Sequence, residues 1–123
     1  MTNPRTNPER ELMGILGSLD NTSEEMSWWN AEFKRLGIDA ALSRYPTDPE
    51  TLPERLSEMF HFDRRGYIVG FALQEAIIPL LDHIDESAAE KGIVDTVHNA
   101  GGVMTGYFCD ADRVKRWKIW SLI

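Results

Sequence analysis

The side chains able to do chemistry are few and scattered. Cys109 is the one thiol in 123 residues and has no histidine or second cysteine beside it. That setting suits a small residue at a strand end better than a nucleophile. His61, His83 and His98 lie too far apart for a metal-binding spacing. Asp82, Asp85 and Glu86 could ligate a cation, and read more simply as the solvated end of a helix. Asn99-Ala-Gly-Gly102 has glycines that could approach a phosphate, and a composition that fits a hairpin turn better. No Gly-x-Gly-x-x-Gly or Gly-x-x-x-x-Gly-Lys follows an apolar run, so no phosphate-cradling loop is expected. Trp28 and Trp29 read as core or as the wall of a groove.

The elements that must position these groups alternate. Leu12–Gly17 is a short apolar run that reads as a buried first strand. From Glu24 the period changes: Met26, Trp29, Phe33 and Leu36 define one face of a helix, stopped by Gly37. Ile38–Tyr45 is a second strand closed by Pro46. Thr51 and Glu54 have the spacing of a capping box, ahead of a helix burying Leu52, Leu56, Met59 and Phe60. Gly66–Phe71 is a third strand. Leu73, Ala76, Ile77, Leu80, Leu81 and Ile84 then predict an amphipathic helix, kinked or started early by Pro79. Glu86–Lys91 is a short helix ended by Gly92, and Ile93–His98 with Val103–Phe108 form a hairpin. A last helix begins near Ala111. The pattern predicts a three-layer α/β/α domain around a mixed, mostly parallel sheet of about five to six strands.

Length and composition bound the function. A 123-residue chain is about one domain. A net charge of −7 argues against nucleic acid or an anionic membrane as the main partner. One cysteine, a polar start (residues 1–10 are expected to be a flexible extension) and the lack of an 18-residue apolar stretch make the cytoplasm the expected compartment.

Several segments, in order, resemble the N-terminal substrate-binding domain of the shikimate and quinate dehydrogenases. Gly14-Ile-Leu-Gly17 resembles the family's opening strand, and Asn30-Ala-x-Phe33 with Leu36-Gly37 its first helix. Arg65 through Asp82 resembles its strand–turn–helix, the unusual Pro79 included. Gly92-Ile-Val-Asp-Thr96 and Gly106-Tyr-Phe-Cys-Asp110 resemble two further motifs. The resemblance runs from about Gly14 to Asp110. It implies a substrate-binding domain over 11–110, with 111–123 as a helix at the interdomain linker position. In the intact family an NADP-binding Rossmann domain follows. The present sequence holds no such domain, and no cofactor is expected to bind these residues.

Carried position by position, the resemblance implies a substrate groove walled by Ser23, Glu25, Gly70, Gln74, Asp95 and Asp110. The family's Ser-x-Ser motif, which holds the substrate carboxylate, is here Ser23 and Glu25. Its Asn-Val-Thr motif is Ile68-Val69-Gly70, its catalytic lysine is Gln74, and the asparagine of Gly-Ala-Val-Asn-Thr is Asp95. Asp110, the lysine's partner, remains as a vestige of the catalytic dyad. A bare Glu25 carboxylate about 4 Å from a substrate carboxylate would repel it by roughly 4 kcal/mol. Glutamine cannot shuttle a proton, a service worth about 10²–10⁴ in rate. The expectation is a catalytically inactive, small-molecule-binding or interaction module. With three acidic residues in the groove, a neutral or cationic ligand such as a cyclic polyol or amino-cyclitol is expected. The alternative is the substrate half of a split NADP-dependent dehydrogenase whose cofactor domain lies on another chain. Val114, Trp117, Ile119, Trp120, Leu122 and Ile123 spread around the last helix, which either folds back on its own sheet or forms a homodimer or partner contact.

Overall fold

The computed structural model describes residues 11–61 and 65–120. Residues 1–10, the side chains of Met59 and Phe60, and Leu122 and Ile123 lie outside the described residues, and so do the expectations placed on them.

Six strands form one mixed sheet in the order β2-β1-β3-β5-β6-β4. β1 (Glu11–Leu16) lies between β2 (Ala40–Tyr45) and β3 (Gly66–Val69) and runs parallel to both. The chain then reverses. β5 (Thr96–Ala100) pairs antiparallel with β3 and with β6 (Val103–Tyr107), and the short β4 (His83–Ile84) runs parallel to β6 at the edge. The hairpin turn is as expected: Gly101 and Gly102 take φ of 59° and 95°, and Asn99 Oδ1 accepts from the Gly102 amide at 3.0 Å.

Alternation along β3 assigns the two faces. Ile68 packs with Met13, Ile15, Leu42, Trp29 and Phe33 under α1 (Thr22–Leu36), and Tyr67 and Val69 face Leu52, Leu56, Leu73 and Ile77 on the opposite side. The second face is covered by α2 (Leu52–His61), α3 (Glu86–Lys91) and the turns between β3 and β4. α1 ends as the sequence predicts, on Gly37 in the left-handed region at φ 69°.

The last helix, α4 (Arg113–Trp120), folds back beside α1. Trp120 is fully buried and donates from Nε1 to the Val97 carbonyl at 3.0 Å. Its ring and that of Trp117 each lie 5.1 Å from Trp29. The described part of this tail folds back on its own sheet: Trp120 is fully buried and Trp117 partly so, while of the apolar tail residues described only Val114 is strongly exposed.

Two local expectations fail. No α-helix covers 73–84. The segment makes two 3-10 turns, Phe71–Leu73 and Ile78–Leu80, and then joins the sheet as β4. The reason is competition for backbone groups. Pro79 has no amide to give, and the Asp82 and Asp85 amides bond Met104 and Gly106 carbonyls on β6. Nor does Thr51 form a capping box with Glu54; its hydroxyl and amide instead pair with Asp48, the amide bonding Oδ1 at 2.9 Å.

Candidate functional site

β1 and β3 are parallel neighbours, and both end at the same edge of the sheet, where α/β folds place their ligands. β1 stops at Gly17, whose φ of 78° turns the chain away. The turn is tied by Thr22, whose hydroxyl accepts from the Leu19 amide at 2.8 Å and donates to the Leu19 carbonyl at 3.0 Å. This fixes the start of α1 and brings Glu25 over the strand ends. β3 stops at Val69, whose amide bonds the Asp95 carbonyl at 2.9 Å, so Asp95 at the entry to β5 joins the same edge. The chain leaving β6 supplies Asp110 and Ala111, both left-handed at φ 52° and 59°. Asp112 Oδ1 then caps α4 by accepting from the Val114 amide at 2.9 Å.

Between these elements lies a groove of about 420 Å³, where apolar side chains (Leu19, Val69, Phe71, Ile93, Phe108) meet the ionic and amide groups of Asn21, Glu25, Gln74, Asp95, Asp110 and Arg116. Four of the six residues inferred from the resemblance therefore meet in one place. Ser23 is exposed on the first turn of α1 and does not line the groove. Gly70 is buried below it for a steric reason. A Cβ there would stand 2.6 Å from both the amide nitrogen and the carbonyl oxygen of Ser18, so no side chain fits.

Two arginines missed by sequence reasoning reorganise the electrostatics. Arg113 forks the Glu25 carboxylate, Nε to Oε1 at 3.1 Å and Nη2 to Oε2 at 2.9 Å, while its guanidinium lies over the Trp28 ring at 4.3 Å. Trp29 Nε1 donates to Glu25 Oε1 at 3.0 Å. Burial pushes the Glu25 carboxyl up, but these bonds and the charges of Arg113 and Arg116 outweigh it and hold the group below its usual range. Arg116 is 97% buried, its exposure being 3%. Its Nε donates to Thr96 Oγ1 at 2.9 Å and its Nη2 lies 3.7 Å from Asp95 Oδ2. Asp95 Oδ1 accepts from the Cys109 amide at 2.7 Å and from the Thr96 hydroxyl at 3.0 Å, and Oδ2 accepts from the Ala111 amide at 3.2 Å. The carboxylates of Glu25 and Asp95 thus anchor the 109–116 segment. The bare-charge repulsion expected of Glu25 is largely cancelled by Arg113. One signal was available: Arg113, Arg116, Trp117 and Trp120 follow i, i+3, i+4, i+7, which puts both arginines on the helix face that carries the tryptophans.

Asp110 keeps an exposed carboxylate that no described side chain pairs. Gln74 is half-buried and donates from Nε2 to the Val69 carbonyl at 3.1 Å, leaving its own carbonyl oxygen toward other partners. Burial pushes the Cys109 thiol up, keeping it protonated and a poor nucleophile. Among the described residues no cluster could hold a metal ion, and no helix is long and apolar enough to cross a membrane. The turn into α1 is poorly suited to a dinucleotide's pyrophosphate. It reads Gly17-Ser18-Leu19-Asp20, with a single glycine, and Glu24 and Glu25 stand in the first helical turn, where a pyrophosphate would need positive charge.

A three-layer arrangement with a ligand-sized groove at its strand ends makes this an α/β domain with a candidate binding groove. Residues 17–97 match the shikimate dehydrogenase substrate binding domain, and the chain belongs to that family. It is 34% identical over 101 residues to the shikimate dehydrogenase (NADP(+)) of Halothermothrix orenii, covering 82% of this chain and 35% of that one. The chain therefore spans about a third of the curated relatives it matches. Among solved structures it superposes on shikimate 5-dehydrogenase from Listeria monocytogenes in complex with shikimate and NAD with a TM-score of 0.76 and 25% identity, over 86% of this chain and 37% of that one. The 5-ketofructose reductase of Gluconobacter sp. strain CHM43 gives a TM-score of 0.79 at 20% identity, over 85% of this chain and 38% of that one, a likeness of fold alone.

Proposed function

We propose that this domain binds a small cyclic ligand without supporting dehydrogenation, acting as a binding module derived from the family's substrate site. The observation that carries this is Gln74. It stands where the resemblance places the lysine, its amide nitrogen is committed to the Val69 carbonyl, and an amide neither takes nor gives a proton near neutral pH. The groove itself persists, at a volume that holds a six-membered ring. Glu25 and Asp95 are neutralised by Arg113 and Arg116, and Asp110 remains as the open carboxylate. That balance favours a neutral cyclic polyol, or an amino-cyclitol whose ammonium meets Asp110, over an acid. With one cysteine in the sequence no intrachain disulfide can form, and the place of action we infer is the reducing cytoplasm.

The test is a thermal-shift series with shikimate, quinate, myo-inositol, an amino-cyclitol and NADP. A ligand at 100 times its Kd adds about 2.7 kcal/mol of stability. A shift with the amino-cyclitol that is lost in Asp110→Ala supports the proposal. NADP-dependent turnover of shikimate when a separate dinucleotide-binding chain is added would replace it with the split-enzyme function.

A further inference from the structure

We propose that Arg116 is the ligand-anchoring residue of this groove, donating from Nη1 to an oxygen of the bound molecule; this rests on the ligand-binding function proposed above and names the polarity of that ligand. Arg116 lines the groove although only 3% of its surface is exposed. Its other edge is spoken for: Nε bonds the Thr96 hydroxyl at 2.9 Å, and Nη2 lies 3.4 Å from the Asp95 carbonyl and 3.7 Å from its carboxylate. Among the described residues Nη1 makes no hydrogen bond and has only a long ion pair, 3.8 Å from Glu25 Oε1, an oxygen that already takes bonds from Arg113 and Trp29. A guanidinium clamped on one edge and unsatisfied on the other is a preorganised donor, because binding freezes no further rotamers.

The groove has opposite chemistry at its outer end. Asp110 is exposed, and Gln74 turns its nitrogen to Val69, so an acceptor-rich mouth faces a donor at the floor. Phe71, 60% exposed, and the half-buried Phe108 supply apolar surface between. The molecule this arrangement fits is a ring with a carbonyl or hydroxyl oxygen toward Arg116, and an amine or hydroxyl donors toward Gln74 and Asp110. A carboxylate at the Arg116 end is disfavoured, since Glu25 stands 3.8 Å from the same nitrogen. The substitutions of Glu25 and Asp95 for the family's polar residues then have a joint effect: they hold a guanidinium in the floor of the groove.

The experiment titrates the wild-type chain, labelled with ¹⁵N-arginine, with scyllo-inosamine and with shikimate, following melting temperature and the Arg116 side-chain resonances, which are found through their proximity to the Thr96 methyl. The expected result is a thermal shift with the inosamine, displacement of the Arg116 signals, and a weaker response to shikimate. Arg116→Lys should bind the inosamine about ten- to a hundredfold more weakly, the range for a lost charge-assisted hydrogen bond. If that variant fails to fold, the wild-type spectra decide alone. Inosamine binding that leaves the Arg116 signals unmoved, or tighter binding of shikimate, overturns the anchoring role and leaves the ligand-binding function standing. Binding of neither probe overturns both.

Discussion

Replacing Glu25 by glutamine keeps the shape of the side chain and removes its charge. In the wild type that charge accepts two bonds from Arg113 and one from Trp29, with Arg116 3.8 Å away. Glutamine can still accept at one oxygen, so the loss is charge assistance rather than every contact. Arg113 keeps 29% of its side-chain surface in water and can rehydrate, which lowers the penalty below the 3–5 kcal/mol of a fully buried broken pair. The expected destabilisation is about 2 kcal/mol, or roughly 8 °C in Tm for a domain this size. The pH dependence gives the stricter check. The Glu25 carboxyl is held below its ordinary value of 4.5, so the folded state binds fewer protons than the unfolded chain in that window. Its stabilisation is complete above that value and is lost as pH falls through the folded one. Urea titrations followed by circular dichroism should therefore show a wide gap between wild type and Glu25→Gln at neutral pH and a narrow one in strong acid. A double-mutant cycle with Arg113→Met should give a coupling of about 1 kcal/mol or more. A gap that acid leaves unchanged, or a coupling near zero, refutes the ion-pair account.

Gly66→Ala would place a Cβ 2.3 Å from Trp120 Nε1 and 2.4 Å from the Val97 oxygen. It should cost about 2–4 kcal/mol from overpacking and the lost indole bond, with a reduced near-ultraviolet signal from the tryptophan cluster. Ala111→Gly relieves a left-handed φ of 59° and should raise stability by about 0.5–1 kcal/mol in the same denaturation assay, the glycine's entropy offsetting part of the strain. Burial, aided by the charge of Arg65, holds His98 below its ordinary 6.5, so the unfolded chain binds the extra proton. Stability should be full above that pH and decline as pH falls toward the folded value; in His98→Gln, Tm should fall less steeply over the same interval.

Much of the fold was legible because local signals agreed with tertiary ones. β1, α1 and the 96–107 hairpin each combine an apolar run or period with a glycine in a position that demands one. The 71–84 segment was misread because helical spacing of apolar residues shows which side chains are buried, not where the backbone amides go. Leu73 and Ile77 are buried as the pattern implied, yet the Asp82 and Asp85 amides pair with a strand reached only twenty residues later in sequence. The groove residues were reached through resemblance, and four of the six line it. Their charges were misjudged because the partners are remote: Arg113 lies 88 positions from Glu25, and Arg116 lies 21 from Asp95. The charge of each acid depends on a counter-ion elsewhere in the chain, which its own position does not reveal.

The crowding at Gly70 bears on how such a domain could change over generations. A Cβ at this position would meet the backbone of Ser18 at 2.6 Å and the Leu16 carbonyl at 2.8 Å. Placing here the threonine that the resemblance assigns to this position therefore requires the β1–α1 turn to move as well. The residue at 70 and the backbone at 16–18 are sterically coupled, so any side chain at 70 has to be accepted together with a displaced turn. Coupling of this kind is epistasis written in backbone coordinates: the residues tolerated at one strand end depend on the path of the turn after another.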